Sequence, residues 1–271
     1  MKKRQVIFVY YNENEEFWMD GLYQALMLLS NDYDVTMHNL AVDPTPIYKP
    51  SINWGDYDFV LGWGAFGSPA DGVLKNANIK KGLCIGGNAK PPDYSALNYD
   101  VLFYETEWYR PTIEHHPNII HAFGVNTKIF KPRKSKKVFD YLTVGSYSLW
   151  KRQDRLINKP GLKIALGEIQ KNNPQESFGI IAKLLGGGVI VSDLVSPKTL
   201  ANFYSLSKTL YIPADVNGGG ERAVLEARAC DIDVEVDMDN PKLMELLTSP
   251  VWDEEYYYKQ LKKGIELCLP A

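Results

Sequence analysis

Three consecutive glycines followed by a glutamate carry the chemistry that this sequence suggests most directly. Gly218, Gly219 and Gly220 follow a short apolar run, and a helix-like pattern begins near Glu221. A loop without Cβ atoms lets a ligand approach the backbone closely. The unpaired N–H groups at a helix start attract an anion, so the segment suits a phosphate or diphosphate. A plain strand–turn–helix connection is the alternative that these residues leave open.

Carboxylates and cations accompany this loop. Glu221 and Glu226 offer oxygens to sugar hydroxyls, and Lys151 and Arg152 follow Gly145 by six and seven residues. Gly145 ends another apolar run, so the two cations are expected just past a strand end. An arginine binds an anion through two hydrogen bonds, and a lysine acts as a point charge. Ordinary charge on a helix surface is the alternative for this pair.

Composition favours a water-soluble, intracellular protein. The chain has 271 residues, 45% of them hydrophobic and 23% charged, which allows two α/β domains of ordinary size. No apolar run is long enough to span a membrane, and the first apolar run leads into acidic residues, which favours a strand over a signal peptide. Three widely spaced cysteines form neither a disulfide framework nor a zinc pattern, so we expect a cytoplasmic location.

Charge is unevenly distributed between the two halves. Residues 1–130 hold 10 Lys/Arg against 15 Asp/Glu, a balance of −5, whereas residues 131–271 hold 20 against 18, a balance of +2. The second half is therefore the better place for an anionic ligand. The first half lacks the basic stripe of a dedicated nucleic-acid reader.

Strand-like and helix-like segments alternate along the whole chain. The expected strands are 6–11, 34–40, 59–61, 83–85, 101–104, 119–123, 141–144, 162–166, 189–191, 210–212 and 234–236. This alternation predicts parallel sheets covered on both faces, with ligands at the carboxyl ends of the strands. The polar, basic run 131–137 is interpreted as a hinge between domains 1–132 and 137–251. A final helix, 252–268, is expected to return to the first domain.

Several segments of the second half, in order, resemble the donor-binding half of family 4 glycosyltransferases of the GT-B fold. Segment 124–132 is similar to G-V-D-x-x-x-F-x-P, with Asn126 in place of aspartate. Segment 144–151 is similar to V-G-R-x-x-x-x-K, with Ser146 where arginine is usual. Segment 224–230 is similar to V-L-E-A-M-A-C. Three further residues match the L-x-x-x-Y and strand-end P-S motifs: Leu200, Tyr204 and Pro213.

The resemblance implies two Rossmann-like domains whose parallel sheets face each other across a cleft. It also implies retaining transfer of a sugar from a UDP- or GDP-sugar, which is a substrate and not a cofactor, without a metal ion. The residues expected to act in catalysis are Glu221, Lys151 and Arg152. Glu226 is expected to hold the donor ribose. The remaining donor-binding residues implied by position are Gly145, Ser146, Gly218, Gly219, Gly220, Arg222, Ala223 and Val224.

One departure from the family concerns its two glutamates, which stand eight residues apart. Counting back eight residues from Glu226 leads to Gly218. We expect Glu221 to supply the first carboxylate, and Asn217 and Asp215 remain the alternatives.

The first half resembles the family in architecture only. Its residues expected on the acceptor side are Asn12, Glu13, Trp63 and Gly64. The acceptor stays open between a glycan, a lipid-linked saccharide, a small molecule and a hydroxymethylated base in DNA. Two other functions stay open as well, a non-catalytic nucleotide-sugar-binding protein and a nucleotide-sugar epimerase of the same architecture.

Overall fold

The structure is a computed structural model that describes residues 3–12, 20–46, 50–86 and 98–269. The chain divides into two compact units, one comprising Met1–Gly124 with Trp252–Ala271 and the other comprising Val125–Val251. The domain limits drawn from the sequence, 1–132 and 137–251, stay a prediction. Within the described ranges, no helix is both long and apolar enough to cross a membrane.

The first unit is built on a parallel sheet of six strands. Its elements are β1 (Gln5–Tyr10), α1 (Asp20–Leu29), β2 (Asp34–Asn39), β3 (Phe59–Gly64), α2 (Pro69–Leu74), β4 (Lys80–Ile85), β5 (Val101–Tyr104), α3 (Arg110–Ile113) and β6 (Ile119–His121). The strand order is β2-β1-β3-β4-β5-β6, and every pairing is parallel.

Both faces of this sheet are covered by helices. Ile7 and Val9 of β1 pack with α2 and α3, whereas Val6 and Phe8 pack on the other face. This second face also receives the C-terminal helix of the chain, Glu254–Cys268, which packs beside α1 through Tyr257, Leu261 and Ile265. The near-continuous burial of β1 is what a strand inside a parallel sheet requires.

The second unit is built on a parallel sheet of five strands. Its elements are β7 (Phe139–Val144), β8 (Lys163–Gly167), α4 (Pro174–Gly186), β9 (Ile190–Asp193), α5 (Pro197–Leu206), β10 (Ser207–Ile212), α6 (Glu221–Ala229), β11 (Asp233–Val236) and α7 (Pro241–Thr248); the C-terminal helix of the first unit is α8. The strand order is β11-β10-β7-β8-β9, with every pairing parallel. The expectation of two parallel α/β sheets is confirmed.

The strand order also creates a topological switch point in the second unit. The chain passes outward from β7 to β8 and β9, then returns to add β10 and β11 on the other side of β7. The loops after β7 and β10 therefore leave neighbouring strands in opposite directions. Such a switch point opens a crevice at the carboxyl ends of the strands, where α/β proteins bind ligands.

Candidate functional site

The loops after β7 and β10 contact each other directly. The backbone N–H of Asp215 donates to the carbonyl of Trp150 over 3.0 Å. A Cβ atom on Gly218 would lie only 2.3 Å from that same carbonyl oxygen. Gly218 is therefore a glycine because the two loops approach too closely for any side chain at this position.

The glycine loop also needs backbone angles that other residues rarely adopt. Gly219 has φ 65° and Gly220 has φ 119°. A Cβ on Gly220 would meet Ile212 at 2.7 Å. Gly220 is the N-cap of α6 and has no side chain to cap the first N–H groups. The N–H of Val224 donates to the carbonyl of Gly220 and begins the hydrogen-bond ladder of α6, and the N–H groups of 221–223 precede that ladder.

Lys151 lies over the end of β7. It belongs to a short 3-10 helix, Leu149–Lys151, and its Nζ lies 3.4 Å from the place where a Cβ on Gly145 would be. Gly145 has φ 130°, and its carbonyl accepts from Nε2 of Gln153 over 2.9 Å. The absence of a side chain at Gly145 therefore makes room for the lysine.

The surroundings of Lys151 lower the pKa of its ammonium to about 8. Desolvation is the largest cause, and the charges of Arg222 and Lys242 lower the pKa further. Glu221 and Glu168 act in the opposite direction. A partly desolvated cation beside a helix N-terminus is a strong position for binding a phosphate.

Arg152 is engaged within the loop region. It adopts a left-handed conformation, with φ 49° and ψ 32°. Its guanidinium lies 2.5 Å from Oδ2 of Asp239 and 3.4 Å from Oδ2 of Asp215. The hydrogen bond to Asp239 is the main cause that raises the pKa of Arg152. The structure thus places this residue between two carboxylates at the rim of the loop.

Glu221 forms a buried ion pair that the sequence did not reveal. Its Oε1 lies 2.6 Å from Nζ of Lys242, and the exposed side-chain fractions are 8% for the glutamate and 0% for the lysine. Lys242 stands in the first turn of α7. A lysine after a proline at a helix start is typical of a protein surface, so no sequence signal distinguishes it.

Glu226 lies one turn further along α6 and is also buried. Its Oε2 accepts a hydrogen bond of 3.1 Å from the hydroxyl of Tyr204, and its Oε1 lies 3.6 Å from Nε of Arg222. Tyr204 comes from the L-x-x-x-Y segment, so the structure brings two separate motifs of the second half together. Three other predicted residues frame the site, with Ser146 and Ala223 half-buried and Val224 buried.

The two alternatives to Glu221 have different environments. Oδ1 of Asp215 accepts from the backbone N–H of Asn217 over 2.8 Å, and Oδ2 of the same carboxylate faces Arg152. Asp215 therefore holds the shape of the loop. Asn217 is half-buried.

The residues predicted on the acceptor side share one sheet edge in the first unit. Asn12 follows β1, and Trp63 and Gly64 end β3, which is the neighbour of β1. Asn39 fixes the main chain of Asn12 through hydrogen bonds of 2.9 and 2.8 Å. Gly64 has φ 152°, and a Cβ there would lie 2.5 Å from Oγ of Ser68. Glu13 lies outside the described residues.

The sequence matches no protein-family model and no curated protein. Solved structures match over nearly the whole chain. HepE from Anabaena, solved with UDP and glucose, has a TM-score of 0.66 at 10% identity over 97% of this chain and 99% of its own. A glycosyltransferase from Rickettsia africae has a TM-score of 0.61 at 11% identity, covering 98% and 89%. The chain therefore has the GT-B fold.

Two other matches bear on the open alternatives. An α-glucosyltransferase, solved with UDP and a 13-mer DNA containing an HMU base, has a TM-score of 0.52 at 12% identity, covering 97% and 90%. A protein assigned as a UDP-N-acetylglucosamine 2-epimerase from Listeria monocytogenes has a TM-score of 0.55 at 12% identity, covering 97% and 88%. Likeness at this level of identity establishes the fold and leaves acceptor and reaction to direct tests.

Proposed function

We propose that this chain is a retaining glycosyltransferase that moves a sugar from a UDP- or GDP-sugar to an acceptor hydroxyl. The observation that carries the proposal is that three groups adjoin one glycine loop: Lys151, whose neighbour Trp150 contacts the loop, the N-terminus of α6, and the buried Glu226 of the same helix. These three groups match a diphosphate and the ribose next to it. HepE, which shares the fold, was solved with UDP and glucose.

Each group has a distinct role in this proposal. Lys151 and the amides of 221–223 bind the diphosphate, and Glu226 accepts hydrogen bonds from the ribose. When the glycosidic bond of the donor breaks, negative charge grows on the departing nucleoside diphosphate. A cation and helix amides already aimed at that charge stabilise the transition state without reorganising. We propose that these protein groups take the place of a metal ion.

The acceptor would lie at the sheet edge formed by Asn12, Trp63 and Gly64. An indole ring suits the face of a sugar or a base. The fold match to a DNA-acting glucosyltransferase supports testing a modified DNA base, alongside glycans and small molecules. The balance of −5 over residues 1–130 disfavours a long DNA contact through this half.

The epimerase reading is the second candidate, and the fold match to an assigned epimerase supports it. An epimerase converts the sugar without any acceptor, whereas a transferase either uses an acceptor or slowly hydrolyses the donor. A nucleotide-sugar-binding protein would do neither.

The deciding experiment is calorimetry with UDP, GDP and ADP, together with their common sugars, on the full chain. Donor fate is followed in parallel by NMR, which identifies hydrolysis, epimerisation and the anomeric configuration of any product. We expect one nucleoside diphosphate to bind and its sugar to be released or transferred with retention. Binding of every compound no tighter than inorganic phosphate would refute the proposal. The variant Lys151→Met lacks the cation that is proposed to bind the phosphates, and it is the control for chemistry at this site.

A further inference from the structure

The first turn of α7 fastens both ends of the glycine loop. The side-chain amide of Asn240 donates to the carbonyls of Ala214 and Asp215 over 3.0 and 2.8 Å, at the start of the loop. At the end of the loop, Lys242 pairs with Glu221 over 2.6 Å. Asn240 and Lys242 are both fully buried. Two buried polar side chains at the start of α7 are thus bonded to the two ends of the loop.

The pair of Lys242 and Glu221 has a specific electrostatic consequence. Glu221 is the first residue of α6, so its carboxylate belongs to the helix end where the diphosphate is proposed to bind. An uncompensated negative charge there would repel that ligand. A lysine without any exposed side-chain surface, in turn, requires an opposite charge in contact. Each residue therefore removes the cost that the other would impose.

We propose that Lys242 is a positioning residue for diphosphate binding: it holds the Glu221 carboxylate in the protein interior, neutralises it, and leaves Lys151 to bind the phosphates. This inference rests on the proposed function. It also changes the expected role of Glu221 from a group acting on the sugar to the counter-charge of Lys242. Lys242 itself does not contact the donor.

The charges around Lys151 make the pH dependence of diphosphate affinity a test of this inference. A purely structural role of Lys242 would leave that pH dependence unchanged. The charged groups that act most strongly on its ammonium, among the described residues, are Glu168, Glu221, Arg222 and Lys242. Loss of the positive charge of Lys242 raises the pKa of Lys151, and loss of the negative charge of Glu221 lowers it. Affinity for a diphosphate should fall with rising pH as Lys151 loses its proton. The midpoint of that fall should therefore move in opposite directions in the two variants.

The test measures UDP binding by calorimetry from about pH 6.5 to about pH 9.5 for the full chain, Lys242→Met, Glu221→Gln and the double variant. At neutral pH we expect Lys242→Met to weaken UDP binding about tenfold, because Glu221 is left unpaired. The double variant should recover to within about threefold of the wild type, since it removes both charges. The midpoint should rise in Lys242→Met and fall in Glu221→Gln.

The matched control is Lys208→Met, which removes a lysine paired with Asp140 over 2.6 Å at the amino ends of β10 and β7, whereas the glycine loop follows the carboxyl end of β10. This variant should keep both the affinity and the midpoint. If Lys242→Met does not fold, as thermal unfolding would show, Glu221→Gln decides through its midpoint and the double variant decides through its affinity. Unshifted midpoints in the single variants, or a folded Lys242→Met with wild-type affinity, would overturn the inference. Absence of UDP and GDP binding by the wild type would instead defeat the proposed function, and the inference with it.

Discussion

The hydroxyl of Tyr204 donates a 3.1 Å hydrogen bond to Oε2 of Glu226, and both residues are buried. Burial, followed by the charge of Glu226, raises the pKa of Tyr204 well above its ordinary value. The hydroxyl therefore keeps its proton and remains a donor throughout the working pH range. Tyr204, on α5, orients one oxygen of Glu226, and Nε of Arg222 lies 3.6 Å from the other oxygen. Two side chains thus fix the carboxylate that we assign to the ribose.

Replacing Glu226 with alanine should weaken nucleotide binding through the ribose alone. Lost hydrogen bonds to the ribose correspond to about 1–3 kcal/mol, or roughly 5- to 150-fold in Kd. Calorimetry should show this loss for UDP or GDP, whichever the wild type binds. The dideoxyribose analogue of the same nucleotide, which lacks the ribose hydroxyls, should bind the variant and the wild type with equal affinity. Equal affinity of the variant and the wild type for the complete nucleotide would remove Glu226 from the site.

The conservative variant Tyr204→Phe tests whether orientation of Glu226 matters. It keeps the ring, which packs against Phe130, and removes only the hydroxyl. We expect a smaller loss of affinity, about 1 kcal/mol, because the ribose keeps its hydrogen bonds to Glu226 and only the bond that orients this carboxylate is lost. The ratio of affinities for the ribose and dideoxyribose nucleotides should fall. A lower melting temperature with an unchanged ratio would mean that Tyr204 only packs.

Replacing Lys151 with methionine should remove the diphosphate contribution and leave the nucleoside contribution. A hydrogen bond to a charged group is worth about 1.5–3 kcal/mol, so UDP should bind roughly 10- to 150-fold more weakly. Uridine should bind both proteins equally. Lys198→Met, an exposed lysine on α5, is the control and should bind UDP as the wild type does. A loss of uridine binding as large as that of UDP would show general damage to the site.

Nucleotide affinity should depend on pH through Lys151. The pKa of its ammonium is about 8 in the free protein, so the side chain is mostly charged at pH 7. A bound diphosphate favours the charged form and raises this pKa further. Binding above about pH 8 must therefore take up a proton, and affinity should fall as pH rises beyond that value. Calorimetry in buffers of different ionisation enthalpy should detect the proton uptake, which Lys151→Met should abolish.

The parallel sheets of both units were predictable because the sequence records them locally. Short apolar runs alternate with helical spacing, and this alternation requires parallel strands with helices between them. The glycine loop was predictable for the same reason. Gly218 and Gly220 must be glycines in this backbone, and their types are visible in the sequence.

The charge pairs of the site were not predictable, because burial of a charged side chain depends on residues far along the chain. Lys242 becomes fully buried only when α7 packs beside α6. The engagement of Arg152 with Asp239 likewise joins two loops separated by 87 residues. The sequence suggested Lys151 and Arg152 as cations near an anion site, whereas in the fold Arg152 pairs with Asp239 and Asp215. Lys242, which the sequence did not distinguish, pairs with Glu221.

Alanine at Gly218 should damage the loop without touching any charged group. The new Cβ would lie 2.3 Å from the carbonyl oxygen of Trp150 and 2.8 Å from Cβ of Ala214, so the two loops must move apart. Overpacking of this kind costs about 1–3 kcal/mol, which lowers Tm by roughly 2–10 °C in a chain of this size. The displacement should also weaken nucleotide binding, because the amides of 221–223 shift with the loop.

The matched control is Gly179→Ala in the middle of α4, where a Cβ would meet no atom within 4 Å. Alanine is favoured over glycine inside a helix by about 1 kcal/mol, so this variant should raise Tm slightly and bind nucleotide normally. Calorimetric binding and thermal unfolding, measured on both variants, separate the two effects. If Gly218→Ala keeps both the wild-type Tm and the wild-type affinity, the close contact between the loops does not set the shape of the phosphate site.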